Sequence, residues 1–234
     1  MRIIVKESCR DCPNFKESIF ADLDQVTLSF VDQRKVINQY QKGQALFLQD
    51  NPSFGAFCIK SGKIKNVKSD NNGNESIVRL VNPGEIIGHA SLLAEQPYYV
   101  SGVALENCNA CFFDKKTILE LIAGSPAVAL NIIKSLCTSL KSSELHSASK
   151  TQQNVREKLA CLFLDLMKTN GIQEGDSCKL DIRLTREELA SIIGSTTETV
   201  CRFITEFKNE GLIREQDKTI YVINEKKLKT FANI

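Results

Sequence analysis

The stretch LTREELASIIGSTTETVCR, residues 184–202, decides the fold of the second half of this chain. Thr185 and Glu188 have the spacing of a capping box, in which each side chain binds the backbone N–H of the other residue. This box predicts a helix over residues 186–193. Gly194 follows and is typical of a left-handed helix end, because glycine adopts a positive φ without steric cost.

A second helix is predicted directly after this turn, over residues 197–209. Ser195 and Thr196 supply its N-cap. Apolar residues recur at the i, i+3, i+4, i+7 spacing that forms one helix face. They are Val200, Phe203, Ile204 and Phe207. Two short helices joined by a tight turn predict a helix-turn-helix motif.

The opposite face of the second helix carries polar side chains in its first two turns, where a recognition helix enters the major groove. Arg202 can donate two hydrogen bonds to guanine O6 and N7, and Glu198 can accept one from cytosine N4. Residues at the helix N-terminus are suited to phosphate oxygens. The predicted DNA contacts are Thr185, Arg186, Ser195, Thr196, Thr197, Glu198, Cys201 and Arg202.

A small hairpin is predicted after the second helix. Two apolar stretches, Leu212-Ile213 and residues 219–223, flank the turn sequence Gln216-Asp217-Lys218. This hairpin is the expected wing of a winged helix-turn-helix. Residues 151–234 contain as many acidic as basic residues, so a basic face for DNA must come from side-chain placement.

The first half of the chain has a different pattern. After a predicted helix over residues 19–32, short β-rich stretches occupy residues 56–59, 63–67 and 76–81. Turn sequences recur about every ten residues, which predicts a compact antiparallel barrel or sandwich. These turns are Lys42-Gly43, Asn51-Pro52, Ser61-Gly62, Asp70-Asn71-Asn72-Gly73 and Asn82-Pro83-Gly84.

The helical period begins at Pro126, a residue that fits the first turn of a helix. Apolar residues then recur at 3-4-3 spacing and form one narrow seam, typical of a helix that pairs with a partner. The predicted dimerisation residues are Leu130, Ile133, Cys137 and Leu140. The polar residues 142–154 suit a hinge or the exposed end of the helix. The alternative is a single amphipathic helix that packs on its own core.

Length and composition indicate an ordinary globular protein. The chain has 234 residues, of which 42% are hydrophobic and 25% charged, and its net charge is +2. This length suits two domains. No apolar run reaches the about 20 residues that span a bilayer, and the charged N-terminus does not resemble a signal peptide. We therefore expect a cytoplasmic protein that does not enter the membrane.

Nine cysteines are many for a cytoplasmic chain, where clustered cysteines indicate metal or redox chemistry more often than structural disulfides. Cys9 and Cys12 form one C-x-x-C pair, and Cys108 and Cys111 form another. This spacing lets both thiolates of a pair face one ion or cluster. The remaining internal cysteines are expected to be small buried hydrophobes. They are Cys58, Cys137, Cys161 and Cys178.

Little in the sequence predicts an enzyme. The two histidines, His89 and His146, lie in different segments, and neither adjoins a nucleophile motif. Neither a phosphate-binding G-x-x-x-x-G-K-[ST] loop nor a dinucleotide fingerprint occurs. A third class, an adaptor that does not bind DNA, would leave the helix-turn-helix without a role.

The chain resembles the Crp/Fnr family of regulators along most of its length. The resemblance is carried by KGQALF at 42–47, IKSGKIK at 59–65, PGEIIG at 83–88, the long helix, and the helix-turn-helix with GLI at 211–213. It implies an α+β protein with a jelly-roll β-roll, or double-stranded β-helix, in residues 1–125. A dimerisation helix and hinge would occupy 126–152, and a winged helix-turn-helix 153–234. It also implies a homodimer on a near-palindromic DNA site, with RNA polymerase as a partner.

Glu198 and Arg202 fall on base-contacting positions of the family, whereas Cys201 stands where the Fnr branch has serine. Because a thiol is a weak hydrogen-bonding group, the preferred half-site stays open at that contact. Cyclic AMP is not expected as the effector. No arginine occurs between Arg79 and Lys115 to clamp a cyclic phosphate.

In the Fnr branch, an N-terminal cysteine arm and one β-roll cysteine hold an oxygen-labile [4Fe-4S] cluster. Cys9 and Cys12 match two arm ligands and Cys111 matches the β-roll ligand, but Ser18 stands at the remaining arm position. Cys108 could supply the fourth thiolate if the strand bends at residues 107–109, because regular strand geometry would point it away from Cys111.

The resemblance therefore implies a redox-responsive regulator in which an intact cluster ties the arm to the β-roll. This link would bias the pairing helix toward a dimer whose recognition helices match major-groove turns about 34 Å apart. Four alternatives stay open for the sensor: a zinc site, a reversible disulfide, a small-molecule effector in the β-roll, and cysteines without a function.

Overall fold

The computed structural model describes residues 7–233, except for the side chains of residues 145–152. The first six residues of the predicted arm and the side chain of His146 lie outside the described residues. The chain divides into two compact units, residues 1–142 and 143–234.

The first unit contains two four-stranded antiparallel sheets, one in the order β1-β8-β3-β6 and one in the order β2-β7-β4-β5. This is the jelly-roll-like architecture that the turn spacing and the family resemblance predict. The strands are β1 (Val36–Tyr40), β2 (Ala45–Phe47), β3 (Gly55–Ser61), β4 (Ile64–Ser69), β5 (Glu75–Val81), β6 (Ile86–Ile87), β7 (Ser101–Ala104) and β8 (Cys108–Asp114).

The turns between the strands rely on the predicted glycines. Gly62 joins β3 to β4 with a φ of +76°, in the left-handed region. A Cβ atom there would lie 2.6 Å from both the Asn107 carbonyl oxygen and the Cys108 Sγ. Only glycine therefore fits this turn, which brings β4 back against the start of β8.

Alternation along the strands creates two separate cores. The inter-sheet core contains residues from both sheets, including Phe57 and Cys108 of the first and Phe47 and Ile64 of the second. The second core lies on the opposite face of the β1-β8-β3-β6 sheet and is called here the arm-side core. Its buried members are Cys9, Ile19, Phe20, Leu23, Leu28, Val31, Ala56, Cys58, Ile86, Leu92, Cys111, Phe113, Ile118, Leu121, Val128 and Ile132.

The helices that begin in the first unit are α1 (Gln25–Arg34), α2 (His89–Leu93), α3 (Lys115–Gly124) and α4 (Pro126–Gln152). The prediction that the first helix begins at residue 19 is wrong. Asp24 caps α1, since its side chain accepts a hydrogen bond from the Thr27 N–H. Ile19 and Phe20 instead lie in a turn and are buried in the arm-side core.

Helix α4 has two different faces in the described part of the first unit. Val128 and Ile132 are buried in the arm-side core. The predicted seam residues Leu130, Ile133 and Leu140 are 52%, 54% and 60% exposed, and Cys137 is also exposed. The seam is therefore not used for packing within the unit.

The second unit is a winged helix-turn-helix. Its helices are α5 (Val155–Asn170), α6 (Arg186–Ile193), α7 (Thr197–Asn209) and α8 (Glu225–Phe231). Its strands are β9 (Gly171–Glu174), β10 (Ser177–Leu180), β11 (Ile213–Gln216) and β12 (Thr219–Val222), in the order β11-β12-β10-β9. The predicted bounds of α6 and α7 are confirmed, whereas α5, β9, β10 and α8 were not predicted.

Asp217 and Lys218 form the two-residue turn of the predicted wing, with φ of +50° and +62°. Two successive positive φ values are the geometry that matches the twist of a tight hairpin. Beneath the helix-turn-helix, Phe163 of α5 and Phe207 of α7 are fully buried, with ring centroids 6.3 Å apart. This contact holds α7 on the domain core by its apolar face.

Among the described residues, no single helix is long and apolar enough to cross a membrane. Helix α3 and residues 126–144 of α4 meet the length and composition criteria only as a pair, across a bend of 113°.

Candidate nucleic-acid interface and cysteine site

Helix α6 is fixed at both ends by the predicted capping chemistry. The Thr185 Oγ1 accepts from the Glu188 N–H at 3.1 Å, and Glu188 Oε2 accepts from the Thr185 N–H at 2.9 Å. At the other end, Gly194 has φ +67° and ψ +50°. These contacts set the start of the turn that leads into α7.

Helix α7 buries one face and exposes the other. Thr196 caps it, with its Oγ1 accepting from the Thr199 N–H at 3.2 Å. Val200, Ile204 and Phe207 are buried. The opposite side is formed by exposed residues in the first two turns: Thr197, Glu198, Cys201 and Arg202.

The two side chains predicted to read bases keep their hydrogen-bonding groups available. Neither Glu198 nor Arg202 forms an ion pair with residues 7–144 or 153–233. The guanidinium of Arg202 lies 5.1 Å from the centroid of the Phe203 ring, a contact that leaves its N–H groups free to donate.

Arg186 differs from the other predicted DNA contacts because its guanidinium already has a partner. Its Nη2 lies 2.7 and 2.8 Å from the two carboxylate oxygens of Glu215 in β11. This ion pair links the first helix of the motif to the wing. Thr185 and Thr196 are exposed and Ser195 is half-buried.

The N-terminal arm is anchored on α1. Cys9 and Cys12 flank a single 3₁₀ turn, Cys9–Asp11. The Cys9 N–H donates to Asp32 Oδ1 at 2.8 Å, and the ammonium of Lys35 lies 2.8 Å from the same oxygen and 3.3 Å from Cys9 Sγ. A carboxylate and a cation together thus hold the first cysteine in place.

The arm is also anchored on the β-roll. The Asn14 side-chain amide donates to the Lys60 carbonyl oxygen in β3 at 2.9 Å. Lys60 forms an ion pair with Glu7. These contacts place the arm over the face of the sheet that carries the arm-side core.

A cavity between the arm and the sheet is lined by four cysteines: Cys9, Cys12, Cys58 and Cys111. Its empty space is about 440 Å³, part of it open to solvent. Ser18, Lys35 and Lys60 also line it, and the rest of the wall is largely apolar. All nine cysteines of the chain are free thiols.

Cys58 was missed as a member of this group and was predicted only as a buried hydrophobe. It is buried, but it lies opposite Cys111 in the antiparallel β3–β8 ladder. Directly opposite residues point to the same face of a sheet. Residues 56–59 are all apolar, so the sequence does not distinguish the two faces of this strand, and only the pairing of two distant strands identifies the neighbour.

Cys108 is not brought into this cavity. Strand β8 runs without a bend from Cys108 to Asp114 in register with β1, so Cys108 and Cys111 point to opposite faces. The chain bends before the strand, at residues 105–107, but residues 108 and 109 are regular strand, so the predicted bend does not bring the two thiols together. The Cys108 thiol instead lies 3.0 Å from the Glu106 and 3.3 Å from the Lys63 carbonyl oxygens, in the inter-sheet core.

The other predictions of buried cysteines are confirmed only in part. Cys178 is buried, Cys161 is half-buried and Cys137 is exposed. Cys137 is exposed because its side of α4 turns away from the core of the first unit.

Burial controls the acidity of the thiols around the cavity. It raises the pKa of Cys9 to about 12, although the charge of Lys35 acts in the opposite direction. Burial, followed by the neighbouring cysteines, raises the pKa of Cys58 well above its ordinary value. Burial also raises the pKa of Cys111, against the charge of Lys35. These sulfurs are therefore protonated thiols until a metal displaces the protons.

The cavity does not have the geometry of a single-ion site. Within the described parts of the chain, no group of three or more His, Cys, Asp or Glu side chains is arranged to hold one metal ion. A zinc ion needs its donors around one point at about 2.0–2.3 Å. In a [4Fe-4S] cluster, four cysteines bind a larger body than a single ion.

A second cavity lies within the β-roll, near α2. It is lined by residues that include Arg79, His89 and Tyr98. His89 is 3% exposed, and neither ring nitrogen has a hydrogen-bond partner among the described residues. Burial and the charge of Arg79 lower the pKa of His89 to about 4, so this imidazole is neutral at neutral pH.

Two residues of this second cavity refine the sequence interpretation. Arg79 lines this cavity, and its guanidinium is paired with Glu85. It comes directly before residues 80–114, the stretch that contains no arginine able to clamp a cyclic phosphate. The Tyr98 hydroxyl donates to the Gly55 carbonyl oxygen at 2.7 Å, and its ring lies 4.3 Å from that of Phe47. Tyr98 is thus a packing residue.

Comparison with known proteins fits both units. The cyclic nucleotide-binding domain family matches residues 37–125, and the Crp-like helix-turn-helix domain family matches residues 157–231. The chain belongs to the Crp/Fnr family of transcription regulators. As a member, it is a DNA-binding transcription regulator, and regulators with this helix-turn-helix usually act as dimers.

Relatives within the family carry different effector names. The CRP-like cAMP-activated global transcriptional regulator of Mycobacterium tuberculosis is 22% identical over 91% of this chain and 95% of its own length. The fumarate and nitrate reduction regulatory protein of Vibrio cholerae is 25% identical, over 97% and 90%. Family membership therefore identifies the chain as a transcription regulator, but it does not identify the effector to which the chain responds.

Solved structures share the fold. A CooA mutant from Carboxydothermus hydrogenoformans has a TM-score of 0.75 at 21% identity, covering 94% of this chain and 95% of that one. FixK2 from Bradyrhizobium japonicum has a TM-score of 0.74 at 17% identity, covering 84% and 96%.

Thiol burial predicts the order of alkylation in the metal-free, reduced protein. With iodoacetamide at pH 8, Cys201 should be labelled before Cys9 and Cys58, because it is exposed and they are buried with raised pKa values. Peptide mass spectrometry over time measures the order. Labelling in urea, where all nine thiols react, is the control. Equal rates for Cys58 and Cys201 in the native protein would contradict the prediction.

Proposed function

We propose that this chain is a cytoplasmic, homodimeric transcription regulator that reads a near-palindromic DNA site and responds to redox conditions through an iron–sulfur cluster. The cavity lined by two arm cysteines and two β-roll cysteines carries the sensor part of this proposal. RNA polymerase is the proposed partner at the promoter.

Sequence-specific binding is supported by the exposed face of α7. Arg202 is suited to guanine, and Glu198 to the amino group of cytosine. Thr185, Ser195, Thr196 and Thr197 are short hydroxyl side chains at the N-terminal ends of α6 and α7, where they suit phosphate oxygens. Because the pair with Glu215 occupies Arg186, we propose that its main role is to orient the wing and that any phosphate contact is secondary.

Dimer formation is supported by the exposed seam of α4. Three large apolar side chains and Cys137 recur there at the spacing of a pairing helix, whereas Val128 and Ile132 on the other side hold the helix on the β-roll. A helix anchored on one face and apolar on the other suits a parallel partner.

Cys9, Cys12 and Cys111 are the proposed core of the ligand set. Thiolates are the preferred ligands of iron–sulfur clusters. Lys35 and Lys60 also line the cavity, each paired with a carboxylate, Asp32 and Glu7. When bound, the cluster would supply a link between the arm and the sheet that oxygen or nitric oxide can break. The alternative occupant is a zinc ion, which would require the same thiolates to move together around one point.

Contacts within the first unit support a route from the cysteines to the dimer seam. The arm continues from Cys12 to Ile19 and Ala21, and the Asn131 amide of α4 donates to the carbonyl oxygens of these two residues at 3.2 and 3.4 Å. Asn131 is next to Leu130 in the seam. A shift of the arm would therefore be transmitted to α4, the proposed dimerisation helix.

Replacing Arg202 by Ala should reduce base discrimination. Loss of a bidentate contact to guanine costs about 1–3 kcal/mol, or roughly 5- to 150-fold in relative affinity. Fluorescence anisotropy with a selected site, and with the same site changed at each guanine, measures it. Asn209→Ala, exposed in the last turn of α7, is the matched control. An unchanged discrimination profile in the Arg202 variant would favour an adaptor that does not read sequence.

The cluster is tested by anaerobic purification of the wild-type protein and of single Ser variants at Cys9, Cys12 and Cys111. The wild type should be coloured and contain iron and acid-labile sulfide, and each variant should lose both. Cys108→Ser is the matched control and should keep them, because its thiol faces the inter-sheet core. A colourless, metal-free wild type that still binds its site tightly would remove the sensor part of the proposal.

Asn131→Ala should weaken the coupling between the site and dimerisation without emptying the site. Removing hydrogen bonds worth about 0.5–1.5 kcal/mol should shrink the difference in dimer Kd between metal-loaded and metal-free protein by roughly 2- to 10-fold. Analytical ultracentrifugation and iron content measure the two quantities. Lys134→Ala, exposed on the same helix, is the control. An unaltered difference would exclude this route.

A further inference from the structure

The arm offers one sulfur fewer than the resemblance to Fnr-type regulators requires. At the position of the missing cysteine, the Ser18 Oγ donates to the Phe15 carbonyl oxygen at 2.7 Å and accepts from the Phe20 N–H at 3.2 Å. Both hydrogen bonds hold the turn that buries Phe20. The hydroxyl therefore has a structural role, and a hard oxygen donor is in any case a poor ligand for iron compared with a thiolate.

The sheet supplies a further cysteine, Cys58, to the same cavity. Cys58 and Cys111 are directly opposite in the β3–β8 ladder, where the Cβ atoms of a pair lie about 4.5–5.5 Å apart on the same face. Both side chains belong to the arm-side core together with Cys9. Among the described residues, the Cys58 thiol makes one polar contact, a long one of 3.8 Å to the Gly84 carbonyl oxygen.

The arm lies directly over Cys58. Asn14 is hydrogen-bonded to the backbone of Lys60, two residues along the same strand. A Cβ atom at Gly84 would come within 3.0 Å of Glu17 and 3.3 Å of the Asn14 carbonyl oxygen, so this turn leaves just enough room for the arm. Cys58, Cys111 and both arm cysteines consequently line one cavity.

We infer that Cys58 is the fourth cysteine ligand of the site, so that two thiolates come from the arm and two from adjacent strands of the sheet. This inference rests on the proposed metal-dependent function. It makes Cys9, Cys12, Cys58 and Cys111 the ligand set and leaves Cys108 out. The usual third arm ligand is replaced by a residue of the rigid barrel.

This arrangement has a consequence for regulation. Cys58 and Cys111 are fixed by the ladder whether or not the site is filled, whereas Cys9 and Cys12 are held by the short arm. Loss of the bound group would leave the sheet pair in place and remove only the sulfur links to the arm, which is the segment in contact with Asn131 of α4.

The test compares Cys58→Ser and Cys58→Ala with the control Cys108→Ser after anaerobic reconstitution with iron and sulfide. Iron and sulfide per chain, the visible spectrum and the electron paramagnetic resonance spectrum after reduction are measured. Both Cys58 variants should lose most of the iron, sulfide and colour, and Cys108→Ser should match the wild type. Circular dichroism of the metal-free proteins checks the fold.

A double variant, Ser18→Cys with Cys58→Ala, separates loss of a ligand from damage to the core. It moves the sulfur back to the arm and should recover iron and colour above the level of Cys58→Ala alone. If both single variants fail to fold, iron binding by the double variant supports the inference, and a folded double variant without iron contradicts it. Wild-type iron content in either folded single variant overturns it.

Failure of this inference can be told from failure of the proposed function. If Cys9→Ser is empty but Cys58→Ser is fully loaded, the sensor stands and Cys58 is not a ligand. If the wild type holds one zinc ion per chain and Cys58→Ser loses it, the ligand set is supported, and zinc takes the place of the cluster as the bound group. A metal-free wild type with a Cys58–Cys111 disulfide, detected by peptide mapping, overturns both.

Discussion

The antiparallel ladder between β3 and β8 is the constraint on which the first unit depends. These two strands form the middle of one sheet. Because side chains alternate along a strand, the two faces of the ladder pack into different cores. Phe57 and Cys108 point into the inter-sheet core that holds the β-roll together. Cys58, Cys111 and Phe113 point the other way, where they form the floor under the N-terminal arm.

That floor explains why a short polar arm can be ordered at all. A segment of this length buries too little apolar surface to fold alone. Ile19 and Phe20, which follow the arm, are buried in the arm-side core together with residues of the sheet and of α4. Asp32 and Lys35 fix the first cysteine from the side. The proposed sensor site and the proposed dimerisation helix thus share one core, which is a physical basis for coupling them.

Predicting the helices of the helix-turn-helix from the sequence required few contacts between distant residues. The capping box at Thr185, the left-handed Gly194 and the apolar face of α7 act over three or four residues, so the helix bounds could be predicted locally. The hairpin β9–β10 was missed because Gly171 and the polar residues around it carry little alternation. Its pairing with β12 is set by the sheet and not by its own sequence.

The sequence by itself determined the helix-turn-helix, the outward placement of Glu198 and Arg202, the turns of the β-roll and the apolar seam of α4. Periodicity and capping encode each of these within one element. Only the tertiary structure decided that Cys58 joins Cys9, Cys12 and Cys111, and that Cys108 does not. Strand pairing joins residues more than fifty positions apart, and which face a side chain occupies depends on that register.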